Sequence, residues 1–167
     1  MRTETKSRIL YKFDELPDDA KEKAIQNLSD INCNYEWWDC IYEAAKNIGL
    51  EITSFDLDRN RHAKGKFTTS APEAAETIIK EHGAACETYK TAQAYMSAVN
   101  LDPPIEDSEY DAWDEAKTEQ DNEFLYALLE DYSIMLQKES EYKQSPEAII
   151  ETIQCNDYEF DAEGKLA

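Results

Sequence analysis

The stretch from Leu101 to Tyr142 constrains the fold more than any other part of this chain. It contains 14 acidic and two basic residues and so carries −12 of the formal net charge of −20. Apolar residues recur in it at helical spacing, but its middle, Asp114–Glu123, is almost entirely polar. A helix with such a middle is not buried all round. We therefore predict one long helix, or two joined helices, over Ser108–Lys143, with the polar middle projecting from the core or bending.

Four other segments have the residue alternation or the turn flanks of β-strands. Gly65 lies inside one of them, where it indicates a bulge or a close approach of the backbone. We expect the four strands to form a small, mainly antiparallel sheet with helices packed on one face, so the predicted fold class is α+β. The strand segments are Ser7–Phe13, Leu50–Leu57, His62–Thr69 and the C-terminal tail from Tyr158.

Helix boundaries have clearer signals. The run Ser70-Ala71-Pro72-Glu73 is a capping box with an early proline, so a helix is expected to begin there and end near His82. Gly49 is the expected C-cap of a helix over about Tyr35–Ile48. Further helices are expected after Leu16-Pro17, over about Cys86–Val99 and from Ser145-Pro146.

The length of 167 residues favours a single domain, in which residues 101–143 form an acidic helical insertion or extension.

No pattern in the sequence indicates a cofactor or a metal. The four cysteines form no Cys-x-x-Cys pair, neither histidine is at zinc-ligand spacing from a cysteine, and Cys40 is expected in the core. Four glycines leave no phosphate-binding loop. No apolar run approaches the ~20 residues of a membrane span, and the N-terminus leads into no signal segment. We expect a cytoplasmic protein that is not an enzyme and has neither cofactor nor membrane contact.

The acidic stretch contains a row of carboxylates at four-residue intervals. In a helix such residues lie ~6 Å apart along the axis, which we take to approximate the phosphate spacing of one nucleic-acid strand. Like charges at this interval cost a helix a few tenths of a kcal/mol each, so the row needs a compensating reason. The candidate partner-binding residues are Asp107, Asp111, Glu115, Glu119 and Glu123 in the row, with Asp114 and Asp121 beside it.

Three interpretations of this acidic row stay open. In the first, the carboxylates bind a partner protein in its basic nucleic-acid-binding groove, while the chain itself does not bind nucleic acid. In the second, the row only keeps the protein soluble. In the third, the row contacts a protein without mimicking nucleic acid. Tryptophan side chains are candidate anchors for a partner because Trp is frequent at binding hot spots, and adjacent helical residues point ~100° apart. The candidates are Trp37, Trp38 and Trp113.

Basic residues cluster only around the turn of the predicted hairpin, at Arg59, Arg61, Lys64 and Lys66. This patch fits an acidic partner or the acidic stretch of a second copy of the chain. A homodimer therefore stays open. Direct contact with nucleic acid is disfavoured because it would work against the net charge of −20.

Five segments near the two ends of the chain form a recognisable set. They are Tyr11-Lys-Phe-Asp-Glu-Leu-Pro-Asp-Asp-Ala-Lys-Glu-Lys-Ala-Ile, Tyr35-Glu-Trp-Trp-Asp, Ser145-Pro-Glu-Ala-Ile-Ile-Glu, Asn156-Asp-Tyr-Glu-Phe and Gly164-Lys-Leu. In these segments the chain resembles a group of small acidic phage and prophage-encoded accessory proteins. Most of that group are of unknown function, and some are labelled antitoxin-like. The resemblance brings no catalytic motif and no site residues, and it implies an accessory protein that acts against host defence in a bacterial cytoplasm.

These observations favour a phage-encoded, non-enzymatic inhibitor of a host nucleic-acid-binding defence system of the CRISPR or restriction type. It would act by acidic nucleic-acid mimicry. The alternative is an antitoxin-like or other protein-binding module whose acidic face is merely solubilising. A third hypothesis is an enzyme with a scattered carboxylate site, which thermal stabilisation by a divalent metal at low concentration would favour.

Overall fold

A computed structural model describes every residue from Met1 to Ala167. The fold is α+β, with six α-helices and four short strands. The chain divides into two compact units, residues 1–37 with 139–167, and residues 38–138. Each unit has a buried apolar cluster of its own. None of the helices is both long and apolar enough to cross a membrane.

The first unit joins the two ends of the chain. Strand β1 pairs antiparallel with strand β4, and Phe13 and Phe160 meet edge to face in the core beside them. Ile149 and Ile153 supply the apolar side of the last helix, whose cap is the predicted Ser145. The elements are β1 (Tyr11–Lys12), a 3-10 turn (Phe13–Glu15), α1 (Asp18–Asn27), α6 (Pro146–Cys155) and β4 (Glu159–Phe160).

The first predicted strand is much shorter than expected. Only Tyr11 and Lys12 of Ser7–Phe13 are paired, because the partner strand β4 has two residues. Phe13 starts the 3-10 turn, which the Leu16 N–H closes by donating to the Phe13 carbonyl. Ile9 is therefore exposed, so alternation alone overestimated this strand.

The second unit contains a β-hairpin, the middle helices and most of the long helix. Its core draws on every helix and on both strands, with Leu50, Ile78, Ala92 and Leu128 fully buried or nearly so. The elements are α2 (Asp39–Asn47), β2 (Leu50–Asp56), β3 (His62–Phe67), α3 (Ala71–Glu81), α4 (Glu87–Ala98) and α5 (Asp107–Lys143), of which the last five residues belong to the first unit.

The single four-stranded sheet expected from the sequence is wrong. The four strands form two separate two-stranded antiparallel sheets, β1 with β4 and β2 with β3. Residue alternation indicates where a strand runs, but the pairing partner depends on contacts that are distant in sequence.

Two glycine predictions are confirmed. Gly49 has a φ of 82° directly after α2, a backbone conformation that favours glycine at a helix end. Gly65 lies opposite Ile52, where the register of the hairpin shifts, and a Cβ at this position would be 2.3 Å from the Glu51 carbonyl oxygen. Of the two alternatives predicted at Gly65, the close backbone approach is the one present, and the bulge lies on the opposite strand, at Thr53.

Helix α2 begins four residues later than predicted. Trp38 is its N-cap, and Trp37 lies in the preceding turn, where its N–H donates to the Tyr35 carbonyl. The capping box of α3 is present as predicted, with the Ser70 hydroxyl accepting from the Glu73 N–H. The long acidic segment is one continuous helix, α5, and not two.

Candidate functional site: the acidic outer side of helix α5

The second half of α5 fixes the helix in the second unit. Phe124, Leu128, Tyr132 and Leu136 are buried, with 0–3% of each residue exposed. Phe124 stacks on Tyr95 of α4, with the ring centroids 4.3 Å apart. Because this packing sets the rotation of the helix, it also decides which side of the first half faces solvent.

Asp121 is the one predicted site residue that the structure turns toward α4. Its carboxylate accepts a hydrogen bond from the Tyr95 hydroxyl at 2.5 Å and another from the Lys117 ammonium at 3.0 Å. Burial and this hydrogen bond raise the pKa of Tyr95. Asp121 is half-buried and joins α4 to α5, so it is not part of the exposed acidic face.

Two more contacts hold the first half of α5 along the same side. The Gln120 amide donates to the Ala98 carbonyl at 3.1 Å, and the Trp113 indole N–H donates to the Asn100 carbonyl at 3.0 Å. The first half of the helix is therefore tied down on one side by α4 and the loop after it.

The other six predicted carboxylates are all exposed, and none is paired with a Lys or Arg side chain. Helical residues turn by roughly 100° each, so Glu115 points about 180° away from buried Phe124. We call these six residues the acidic outer side. They are Asp107, Asp111, Asp114, Glu115, Glu119 and Glu123.

The acidic outer side is not a flat row. Residues four apart are displaced by roughly 40° around the axis, so the series from Asp107 to Glu123 winds through roughly 160°. Asp107, Asp111 and Asp114 lie within roughly 60° of one another, and Glu115, Glu119 and Glu123 cover roughly the next 80°. One carboxylate per ~6 Å is also only about half the charge density of one strand of duplex DNA, which carries a phosphate every ~3.4 Å along the axis. The structure therefore presents two adjoining acidic patches, more sparsely charged than a phosphate strand.

An exposed tyrosine that the sequence reasoning missed lies among the glutamates. Tyr126 is 70% exposed and borders the same shallow surface as Glu115, Glu119 and Glu123. It follows Glu119 by seven residues, which places the two within roughly 20° around the helix axis. A helical wheel of α5 drawn with Phe124 and Leu128 facing the core would have placed Tyr126 on the exposed side.

The three candidate tryptophans are all half-buried. Trp38 packs edge to face on Phe55, with ring centroids 5.4 Å apart. The indole N–H of Trp113 donates to the Asn100 carbonyl, and the ring centroids of Trp113 and Tyr110 are 5.4 Å apart. Of the three, only Trp113 belongs to α5, and it lies on the inner side of that helix, opposite the acidic outer side, where it supports the loop before α5.

The basic patch at the hairpin turn is partly neutralised within the chain. The Arg61 guanidinium pairs with Glu130 at 2.5 Å and donates to Gln137 at 2.8 Å, both on α5. Lys66 lies 3.9 Å from the Glu51 carboxylate. The Arg61 contacts join the hairpin to the second half of α5, whereas the Lys66 pair lies within the hairpin.

One carboxylate is held inside the helix packing. Asp131 is half-buried and accepts a 2.6 Å hydrogen bond from the Thr91 hydroxyl of α4. Burial raises the pKa of Asp131, and the charges of Glu87 and Glu130 add to that effect, although the Thr91 hydrogen bond opposes it. Burial also raises the pKa of the neighbouring Tyr132 to about 12.

No group of three His, Cys, Asp or Glu side chains is arranged to hold a metal ion. All four cysteines are free, and Cys40, which the sequence placed in the core, is exposed. His82 bonds to the Thr88 hydroxyl at 2.7 Å in the connection between α3 and α4. No family model, curated protein or solved structure matches the chain.

Proposed function

We propose that this chain is a non-enzymatic, phage-type inhibitor that binds the basic nucleic-acid groove of a host defence protein of the CRISPR or restriction type. The carboxylates of the acidic outer side take the place of phosphates in that groove. The observation that carries the proposal is that all six carboxylates are exposed and unpaired on one anchored helix. Action in the bacterial cytoplasm and descent from phage accessory proteins belong to the same proposal.

The physical reason is that an unpaired acidic surface gains most from a cationic partner. Six like charges on the first half of α5 repel one another, and a basic groove relieves that repulsion while it releases its own counterions. The anchored second half means that the helix does not have to order on binding. Affinity is therefore expected to fall steeply with salt because the pairing is largely electrostatic.

The test compares two triple variants of equal net charge. In one, Glu115, Glu119 and Glu123 are changed to Lys. In the control, Glu4, Glu22 and Asp30, which are exposed in the first unit, are changed to Lys. Proteins captured from a bacterial lysate at low salt are identified, and the purified partner is then titrated with each variant in competition with a labelled oligonucleotide.

We expect the wild type and the control to displace the oligonucleotide, and the helix variant to lose at least about tenfold in affinity. Displacement by the wild type should weaken as salt rises from low to high concentration. Equal loss in both variants would mean that only net charge matters. An affinity that is independent of salt would contradict nucleic-acid mimicry.

A second function is favoured by the winding of the acidic outer side. A row that turns through roughly 160° does not present all its charges to one groove, as expected of a solubilising surface. The chain would then be an antitoxin-like or other protein-binding module that binds through other residues. In that case the helix variant would bind its partner as tightly as the wild type.

A further inference from the structure

The connection between α4 and α5, together with the first turn of α5, exposes apolar side chains. Ile105 is fully exposed, Tyr110 is 47% exposed and Leu101 is 39% exposed. Single exposed hydrophobic residues are common on proteins, but three within ten residues of sequence require an explanation. We call Leu101, Ile105 and Tyr110 the apolar loop.

The apolar loop is held in place by hydrogen bonds and ring contacts. The Asn100 carbonyl accepts from the Trp113 indole, and the Asn100 side chain accepts from the Asp102 N–H at 3.1 Å. Pro103 and Pro104 fix two backbone angles directly before Ile105. A loop that is fixed before binding loses less conformational entropy in a complex, so its apolar contacts convert more fully into affinity.

The charge around the apolar loop selects the occupant. No Lys or Arg occurs between Asn100 and Glu115, whereas six acidic residues do. Two copies of this surface would repel each other, and in the basic patch of a second copy Arg61 and Lys66 already pair within the chain, so a second copy is disfavoured, as is nucleic acid. A cationic protein surface is the complement. The six residues are Asp102, Glu106, Asp107, Glu109, Asp111 and Asp114.

We infer that the apolar loop inserts into an apolar cleft bordered by Lys and Arg side chains on the partner protein. This inference rests on the proposed function and adds the chemistry of the partner surface. The carboxylates guide the encounter over a distance of about a Debye length, and Ile105 supplies short-range affinity once it is buried. Trp113 is a positioning residue that holds the loop.

The test uses two synthetic peptides with the same number of lysines, one with leucines between them and one with serines. Each is titrated against the full chain at fixed physiological salt, and binding is followed by fluorescence anisotropy. The wild type should bind the leucine peptide about tenfold more tightly than the serine peptide, as expected for burial of one large aliphatic side chain. Ile105→Ser should bring that ratio close to one. Ile9→Ser, at an isoleucine that is also exposed, is the matched control and should leave the ratio unchanged.

Each other outcome overturns the inference in a distinguishable way. Equal binding of both peptides by the wild type would rule out the apolar cleft but would still agree with nucleic-acid mimicry by the acidic outer side. A ratio that survives Ile105→Ser, or that Ile9→Ser lowers equally, places the apolar contact elsewhere. A dimer in sedimentation that Ile105→Ser dissociates would make a second copy the occupant. Failure of both peptides to bind would remove the proposed function together with the inference.

Discussion

In helix α5 the residues from Asp107 to Glu119 are exposed, except for half-buried Trp113 and Lys117, whereas six of the thirteen residues from Phe124 to Leu136 are buried. The second half gains its stability from apolar burial in the core of the second unit. The first half is held along one side by three polar contacts with α4 and the loop after it, and it tolerates six unpaired carboxylates on its outer side. One continuous helix therefore has a half that folds the protein and a half that is available for binding.

The largest expected effect separates the two halves by stability. Leu128→Ala should lower the free energy of unfolding by about 2–5 kcal/mol because it leaves a cavity at a fully buried position. Glu119→Ala, on the exposed half, should change it by no more than about 0.5 kcal/mol. Urea unfolding followed by circular dichroism measures both. Similar losses in the two variants would show that the first half also contributes to the core.

The next effect tests whether polar contacts with α4 tie down the first half. Tyr95→Phe removes the hydroxyl that donates to Asp121 and should cost about 1–2 kcal/mol, since the carboxylate keeps only its Lys117 partner. Tyr126→Phe removes an exposed hydroxyl and is the control, with no measurable change expected. Faster amide exchange of residues 113–121 in Tyr95→Phe would locate the effect, whereas unchanged exchange there would contradict it.

A smaller expected effect is the pH dependence of stability that Asp131 causes in the second half of α5. Because the pKa of Asp131 is raised in the folded state, that state binds more protons than the unfolded chain just above the ordinary Asp pKa. The contribution of Asp131 to stability therefore falls as pH rises through its raised pKa, and it is unfavourable at pH 7. Asp131→Asn should raise the melting temperature by about 2 °C at pH 7. The gain should shrink as pH falls and vanish below the ordinary Asp pKa of 3.8, where both states are protonated. A gain that is constant with pH would contradict this cause.

The smallest expected effect measures how much free energy of unfolding the like charges of the acidic outer side cost the protein. Replacing Glu115, Glu119 and Glu123 by Gln removes like-charge repulsion and should stabilise the protein by a few tenths of a kcal/mol for each pair removed. The gain should shrink at high salt because exposed charges are screened. Chemical unfolding at two salt concentrations measures it. Destabilisation on neutralisation would show that these carboxylates have favourable partners within the chain.

The candidate site was only partly predictable, as particular residues show. Asp107, Asp111, Glu115 and Glu119 are exposed as helical spacing suggested, since a polar helix middle has no route into a core. Asp121 differs because its orientation toward Tyr95 depends on where α4 packs, which spacing within one helix does not encode. Tyr126 and Ile105 were missed because aromatic and aliphatic residues are expected inside, and their exposure depends on the rotation of α5 and on the loop before it.

The sequence by itself determined the local elements and their ends: the capping box at Ser70, the helix end at Gly49, the close backbone approach at Gly65, and a long helix too acidic to bury. These follow from short-range backbone and side-chain chemistry. The tertiary structure alone decided that four strands form two sheets, that the first strand stops at two residues, and which carboxylates of α5 face outward. Pairing and helix rotation depend on contacts between residues far apart in sequence, so no local pattern contains them.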